Sequence, residues 1–433
     1  MFIHKLIIKN FRNFREQEIE FNDGVNVIIG HNNAGKSNLL RALALVLDPQ
    51  GSKRLGVYDF NKDVTLQELK LNPPLIQISL VIKQSADEDL ESDDLATVGN
   101  WLTKLEEPYE AALTYEFYLP EKERISYINA MKDAENIDIA WKIFKHDFIR
   151  LYVYKIWGGD KVAQNVAESE SLQKFDFQFL DAIRDVERDM LSGRNTLLRD
   201  VLDFFMDYEI KSDFGKTDEV KKTEIKQKKK KFSEIADSLI SDLQNRMNVG
   251  KEQILSYAKD TGASFNNALP NFEGSLSDIE MFSALKLIVE YDSGIKIPAT
   301  HNGLGYNNLI FMSLLLSKMQ VNADGKYLGS NAKVFPILAI EEPEAHLHPA
   351  MQYQFLKFLK KNKKDRKVRQ VFVTSHSTHI TSSVSLDEII CLHNDGGKIS
   401  VGYPGRVFPE QNSKKYVQRF LDAQNLTCFL LIR

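Results

Sequence analysis

The chain has 433 residues, 43% of them hydrophobic, enough for a sizeable core spread over two or three domains. No apolar run approaches the roughly 20 residues of a bilayer-spanning helix, and Met1-Phe2-Ile3-His4-Lys5 does not open a secretory signal, so a cytoplasmic protein with no membrane association is expected. Two cysteines, Cys391 and Cys428, cannot build a disulfide framework or a four-thiolate metal site, and a net charge of −4 gives no global argument for nucleic acid.

Residues 2–10 alternate as a strand, and residues 17–21 can pair with them ahead of the turn signal Asn22-Asp23-Gly24. Residues 25–29, Val-Asn-Val-Ile-Ile, form a short β-branched run of the kind buried in parallel sheets, and Gly30 closes it. Leu39, Leu40, Leu43, Val46 and Leu47 then recur at helical spacing until Asp48-Pro49. Residues 75–83 and 113–119 read as further strands, joined through an acidic connection at 86–96.

From about residue 174 to 257 prolines vanish and apolar residues fall three and four apart. Phe179, Ile183, Val186 and Met190 suggest one helix; Leu197, Val201, Phe204 and Phe205 a second; Ile235, Leu239, Leu243 and Met247 a third. The polar stretch 211–219 joins them, and the whole reads as a helical insertion between two halves of one α/β domain. The α/β pattern resumes near Ala284, with strands at 286–291, 335–340, 370–374 and 388–392 and helices at 307–319 and 351–361. Residues 221–231 carry seven lysines and one glutamate, and residues 360–369 carry seven basic residues and one aspartate. Each run reads either as a solvated helix face or as a patch that attracts a phosphate backbone.

Residues 30–37, Gly-His-Asn-Asn-Ala-Gly-Lys-Ser, fit Gly-x-x-x-x-Gly-Lys-Ser between a predicted strand and a predicted helix. Gly30 and Gly35 let successive N–H groups face a phosphate, Lys36 reaches the β- and γ-phosphates, and the Ser37 hydroxyl is a magnesium ligand. The nucleotide-binding set is therefore Gly30, Asn32, Asn33, Ala34, Gly35, Lys36, Ser37 and the adjoining Asn38. Residues 334–342 are an apolar strand ending in Glu341 and Glu342, at the strand end where doubly wound sheets bind ligands. Glu341 is the expected Mg²⁺ ligand, through water, and Glu342 the group that polarises the attacking water. His376 follows the strand at 370–374 and is expected at the γ-phosphate, as a neutral or charged donor. His346, His348, His376 and His379 lack a third ligand at fixed spacing, so no zinc site is expected. Residues 302–308, Asn-Gly-Leu-Gly-Tyr-Asn-Asn, open a helix with two glycines that either admit a phosphate or make an ordinary loop.

In this order the segments resemble the ABC-type ATPases of the RecF and structural-maintenance-of-chromosomes group. They look most like the overcoming-lysogenization-defect family of ATP-dependent nucleases. Residues 6–14 are similar to the group's N-terminal strand, residues 302–308 to a variant signature motif, residues 341–349 to the Walker B and D-loop segment, and His376 to the switch histidine. The resemblance implies an α/β fold, an ABC-type P-loop head with an N-terminal antiparallel β-subdomain and a helical insertion serving as a dimerisation arm. It implies ATP and Mg²⁺ as cofactors and a head-to-tail homodimer, in which Asn302, Gly303 and Gly305 serve the partner's nucleotide. By the same analogy Arg12 lies near the phosphates, and Gln84, a glutamine after a second-sheet strand, ligates magnesium.

The domains then run 1–173 and 258–410 for the two halves of the head, 174–257 for the insertion, and 411–433 for a linker toward a nuclease domain of the Toprim type. The family's Toprim domain begins just after a segment like residues 419–423, and the sequence ends at Arg433. No nuclease active site is expected in this chain, whether by truncation or because a separate nuclease subunit carries it. The function expected is ATP binding and hydrolysis in DNA repair or defence against foreign DNA, with DNA a possible partner. The alternative is a non-hydrolysing ATP-binding scaffold that holds a partner nuclease or toxin. A transporter subunit is disfavoured by the long insertion and the lack of a Leu-Ser-Gly-Gly-Gln stretch.

Overall fold

A computed structural model describes residues 1–86, 93–181, 197–213, 215–260, 287–323, 332–345, 347–365, 367–408 and 410–424. The expected helix through Ile183, Val186 and Met190, His346 of the histidine group, and the end of the chain past residue 424 lie outside these residues. Two compact units divide the chain, one of Met1–Arg184 with Met319–Arg433, the other of Asp185–Lys318.

The first unit begins with β1 (Phe2–Phe11), β2 (Phe14–Glu20), β3 (Val25–Gly30) and helix α1 (Lys36–Leu47). It continues through β4 (Ile76–Lys83), β5 (Leu102–Lys104), β6 (Glu110–Tyr118), β7 (Val153–Gly158) and β8 (Phe175–Leu180). The second unit contains the helix α2 (Asp218–Asp260), a hairpin of β9 (Ile288–Glu290) and β10 (Lys296–Pro298), and most of α3 (Leu304–Asn322). The first unit then resumes with β11 (Phe335–Glu341), α4 (Pro349–Lys364), β12 (Gln370–Ser375), α5 (Thr378–Ser382), β13 (Ile389–Asp395) and β14 (Lys398–Gly402).

Two sheets make the first unit. One is antiparallel, in the order β2-β1-β4-β6-β5, with β7 also paired to β6. The other runs β14-β13-β3-β12-β11-β8, parallel from β13 to β8 with β14 antiparallel at its edge. The local sequences match these positions. In β4, Ile76, Ile78, Leu80 and Ile82 are buried in strict alternation, as a half-covered antiparallel strand requires. In β3 all six residues are buried, as in a strand covered on both faces. The only polar side chain of β3, Asn26, is satisfied by the backbone of Asn22 at 2.8 and 3.0 Å.

Helix α1 packs against β1, β4 and β6 of one sheet and β3, β8 and β12 of the other. Its Leu39, Leu40 and Leu43 are fully buried, each worth roughly 1.5–3 kcal/mol of apolar burial. Its last carbonyls are capped by Lys53, whose ammonium donates to Ala44 O at 3.0 Å and Leu45 O at 2.8 Å. The sheets are also tied through Gln370, the first residue of β12. Its amide accepts from Ile3 N and donates to Ile3 O, both at 2.9 Å, as a strand residue would.

The expected strands at 2–10, 75–83, 335–340 and 370–374 are present as β1, β4, β11 and β12. Two expectations are corrected. Residues 175–180 are not the start of a helical insertion but β8, paired in parallel with β11 from Phe335↔Phe175 to Ile340↔Leu180. The strand near residue 288 belongs to a hairpin of the second unit, and the parallel sheet resumes only at Phe335. Within the second unit, Ile235, Leu239, Leu243 and Met247 do fall on one stripe of α2, and all four are exposed.

Candidate nucleotide-binding site

The β3–α1 connection is shaped by its glycines. A Cβ on Gly30 would meet Leu392 O of β13 at 2.4 Å. Gly35, with φ of 100°, would drive a Cβ into Asn13 Nδ2 at 2.7 Å. Asn33 also takes a left-handed φ, 65°, a conformation that asparagine tolerates better than most residues. The turn closes with Ala34 N donating to His31 O at 3.1 Å. The N–H groups of Gly35, Lys36 and Ser37 have no backbone acceptor among the described residues. They stand at the start of α1, where helix N–H groups without a backbone acceptor are donors available to an anion.

Parallel pairing aligns three more strand ends with this loop. Ser375 of β12 lies in register with Ile29, and Leu392 of β13 with Gly30. Glu341 of β11 lies in register with Thr374. The ends of β3, β12 and β11 therefore deliver Lys36, His376 and the Glu341-Glu342 pair to one place. Lys36 Nζ donates to Gly30 O at 3.0 Å and His31 O at 3.2 Å, and meets His376 Nε2 at 2.8 Å. His376 Nε2 is in turn 3.4 Å from Glu342 Oε1.

Burial lowers the pKa of Lys36, against the pull of Glu342, Glu344 and Glu341 in that order. His376 is also lowered, first by burial and then by the Lys36 charge, while Glu342 and Glu344 oppose the shift. Glu342 has φ of 43°, a left-handed conformation costing a non-glycine residue on the order of 1–3 kcal/mol. Its N–H is fixed by Thr374 O at 3.0 Å.

A hard divalent cation would find oxygen donors here. Glu341 is 5% exposed, Ser37 presents its hydroxyl at the surface, and the buried Thr374 Oγ1, next to Glu341, has no hydrogen-bond partner among the described residues. This all-oxygen set fits Mg²⁺ rather than zinc.

Arg12 is on the same rim. It donates to Asn38 Oδ1 and to Asp59 Oδ1, each at 2.9 Å, and Asn38 donates to Asn13 Oδ1 at 2.8 Å. Gln84 is elsewhere. Lys83 pairs with Phe2 and Gln77 with Lys9, so Gln84 sits at the end of β4 remote from the Asn13 turn, roughly 30 Å away along β1 at ~3.3 Å per residue. There it exchanges hydrogen bonds with Tyr109 at 2.9 and 3.1 Å. Gln84 is therefore too far from the phosphate loop to ligate a metal there. Sequence reasoning did not single out Asp181, which follows β8 and lies 3.6 Å from Arg41, one turn past Ser37. The signal was the alternation of Phe175, Phe177 and Phe179, which marks a strand leading into this end of the sheet.

In the second unit, residues 302–308 do open a helix. Among the described residues, Asn302 Oδ1 accepts from Tyr291 OH at 3.1 Å while its buried Nδ2 has no partner, and Gly303 has open space where a Cβ would stand. Asn307 Nδ2 holds the turn through Ala299 O at 2.8 Å.

A strand, a Gly-x-x-x-x-Gly-Lys-Ser turn and a helix set in a parallel sheet define a phosphate-loop nucleotide-binding fold. Residues 1–381 match the AAA ATPase domain family, and the chain belongs to it. Among curated proteins, the DNA replication and repair protein RecF of Thermoanaerobacter sp. (strain X514) is 41% identical over 66 residues, 14% of this chain and 18% of that protein. Endonuclease GajA of Bacillus cereus (strain HuB5-5) is 23% identical over 439 residues, covering 88% of this chain and 59% of GajA. The chain thus spans less than two thirds of either relative, 18% of RecF and 59% of GajA. Among solved structures, the Smc head domain with an extended coiled coil from Pyrococcus furiosus aligns with 97% of this chain and 99% of its own, at 13% identity and a TM-score of 0.47. No helix among the described residues is long and apolar enough to cross a membrane.

Proposed function

We propose that this chain hydrolyses ATP at the β3–α1 loop. The observation that carries the reading is the convergence of Lys36, His376 and Glu342 within 2.8 and 3.4 Å contacts, although they come from three separate strand ends. The open N–H groups of residues 35–37 and the Lys36 ammonium bind the terminal phosphates. Lys36 exchanges its contact with His376 for a phosphate oxygen, and His376 then faces the same group. Glu342, whose backbone is left-handed at φ 43°, orients a water against it. Ser37 and Glu341 hold Mg²⁺, which when bound offsets charge on the β- and γ-phosphate oxygens.

A phosphate-release assay tests this. Wild-type protein turns over ATP, Lys36→Ala loses nucleotide binding, and Glu342→Gln keeps ATP bound while turnover falls on the order of 10²–10⁴-fold. Unchanged turnover in Glu342→Gln removes the assignment. Nucleotide binding with no turnover in the wild type favours the scaffold reading.

The wider setting is DNA repair or defence, supported by the names of the relatives, a repair protein and an endonuclease. In this reading the head works as a homodimer in which Asn302, Gly303 and Gly305 face the partner's nucleotide, and a separate nuclease subunit is a candidate partner. Persistence of a dimer in Glu342→Gln with ATP, seen by sedimentation, supports it; a monomer under those conditions ends it. The lysine run at 221–231 is the better candidate for DNA. Lys222, Lys226 and Lys231 stand exposed on α2, with Lys228 paired with Asp207 and Lys230 with Glu234; in the other run Lys361 and Lys364 are exposed, while Lys360 is paired with Glu388, Lys363 with Asp23 and Arg369 with Asp94.

A further inference from the structure

Glu344, two residues beyond Glu342, is bound to the turn that carries His376. A single carboxylate oxygen, Glu344 Oε1, accepts from Ser375 Oγ at 2.8 Å, His376 N at 2.7 Å and Ser377 N at 3.1 Å. Hydrogen bonds to an ionised acceptor are the strong ones, and three of them on one oxygen fix the turn at consecutive residues. The other end of the turn is clamped as well. Ser377 Oγ donates to the buried Gln352 Oε1 at 2.6 Å, and Gln352 Nε2 donates to Leu347 O at 2.9 Å. Both clamps belong to the chain that follows β11. The turn thus takes its position from the Glu342–Leu347 segment as well as from its own strand.

We infer that Glu344 is a positioning residue that makes His376 and Glu342 move as one body. This rests on the ATPase reading and deepens it. Among the described residues the Glu344 carboxylate hydrogen-bonds to neither Lys36 nor Glu342, yet it sets where the imidazole stands between them. A displacement of the segment after β11, by a partner or by nucleotide, carries His376 with it and cannot leave the histidine behind. An isolated loop bond would need one acceptor; three donors from residues 375–377 on one oxygen specify an orientation as well as a contact.

The test compares Glu344→Ala with Glu344→Gln in the full chain. The amide keeps an acceptor oxygen and the side chain's shape, and alanine keeps neither. Displacement of a reacting group by about 1 Å costs on the order of 10²-fold in rate. Glu344→Ala is therefore expected to lose about 10²-fold in kcat with KM for ATP changed less than about threefold, and Glu344→Gln to retain kcat within about tenfold. Equal kcat in wild type and both variants overturns the proposal, as does a Glu344→Gln variant no better than Glu344→Ala. Ring ¹⁵N shifts of His376, recorded without nucleotide, provide a readout independent of turnover. They should change in Glu344→Ala and stay close to wild type in Glu344→Gln; identical shifts in all three proteins overturn it. If the wild type itself shows no turnover, the ATPase reading falls, and the ring shifts alone decide the positioning role.

Discussion

Lys36 Nζ and His376 Nε2, 340 positions apart in sequence, stand 2.8 Å apart in the fold. An ammonium can only donate, so Nε2 is the acceptor and the imidazole is neutral with its proton on Nδ1. Burial is the larger reason that His376 is held below its ordinary pKa of 6.5, and Lys36 adds to it. As pH falls through 6.5 the unfolded chain takes up the proton first, so this histidine lowers stability on the acid side, between 6.5 and its folded pKa. Lys36→Met removes one of the two causes. The His376 titration, followed by NMR without nucleotide, is expected to move up toward 6.5; no movement, or movement downward, contradicts the contact.

Lys53 gives a second pH dependence, of alkaline range. Burial lowers its pKa from 10.5 to about 8. Between those values the unfolded chain holds a proton that the folded chain has released, so stability rises with pH across the window. The rise is on the order of 3 kcal/mol for the full interval. Urea unfolding of wild type at pH 7.5, 8.5 and 9.5 should show it relative to Lys53→Met, whose curve lacks this component. Parallel curves for the two proteins would refute the assignment.

Gln370 stands in for a strand residue between the two sheets, bonding Ile3 twice and Asn22 O once, at 2.9 Å each. Gln370→Ala leaves the Ile3 backbone groups without a partner in a buried setting. The expected cost is on the order of 2–4 kcal/mol, measured by denaturant unfolding. A loss under about 0.5 kcal/mol would mean that water or a shift in β1 replaces the link.

Salt dependence separates the two lysine runs. If α2 carries DNA, Lys222→Gln, Lys226→Gln and Lys231→Gln together reduce the slope of log K against log salt by up to about 2.7, at ~0.9 per phosphate contact. Lys360→Gln with Lys363→Gln leaves the slope nearly unchanged, because both side chains already have carboxylate partners. The opposite pattern would move the DNA surface to α4.

The phosphate loop, the Glu341-Glu342 pair and His376 were legible because each is a contiguous segment at the end of a strongly apolar strand. What sequence could not supply was the order of those strands. Gln84 does follow a second-sheet strand, but the antiparallel pairing of β1 with β4 turns that end away from Asn13 and Gly35. Phe175, Phe177 and Phe179 alternate as a strand, yet Phe179 also fits a helical spacing with Ile183. The choice is made by pairing with β11, 160 residues downstream at Phe175↔Phe335. Glu344 lay in plain view within the segment after Glu342, but its three donors come from residues 31 to 33 positions later.

The closeness of Gly30 to the carbonyl of Leu392 changes how a damaged phosphate loop should be interpreted. Even a methyl group at position 30 collides with the neighbouring strand before it reaches any ligand. A Gly30→Ala protein that no longer retains nucleotide therefore reports a wedge between β3 and β13, and says nothing about whether residue 30 ever touches a phosphate.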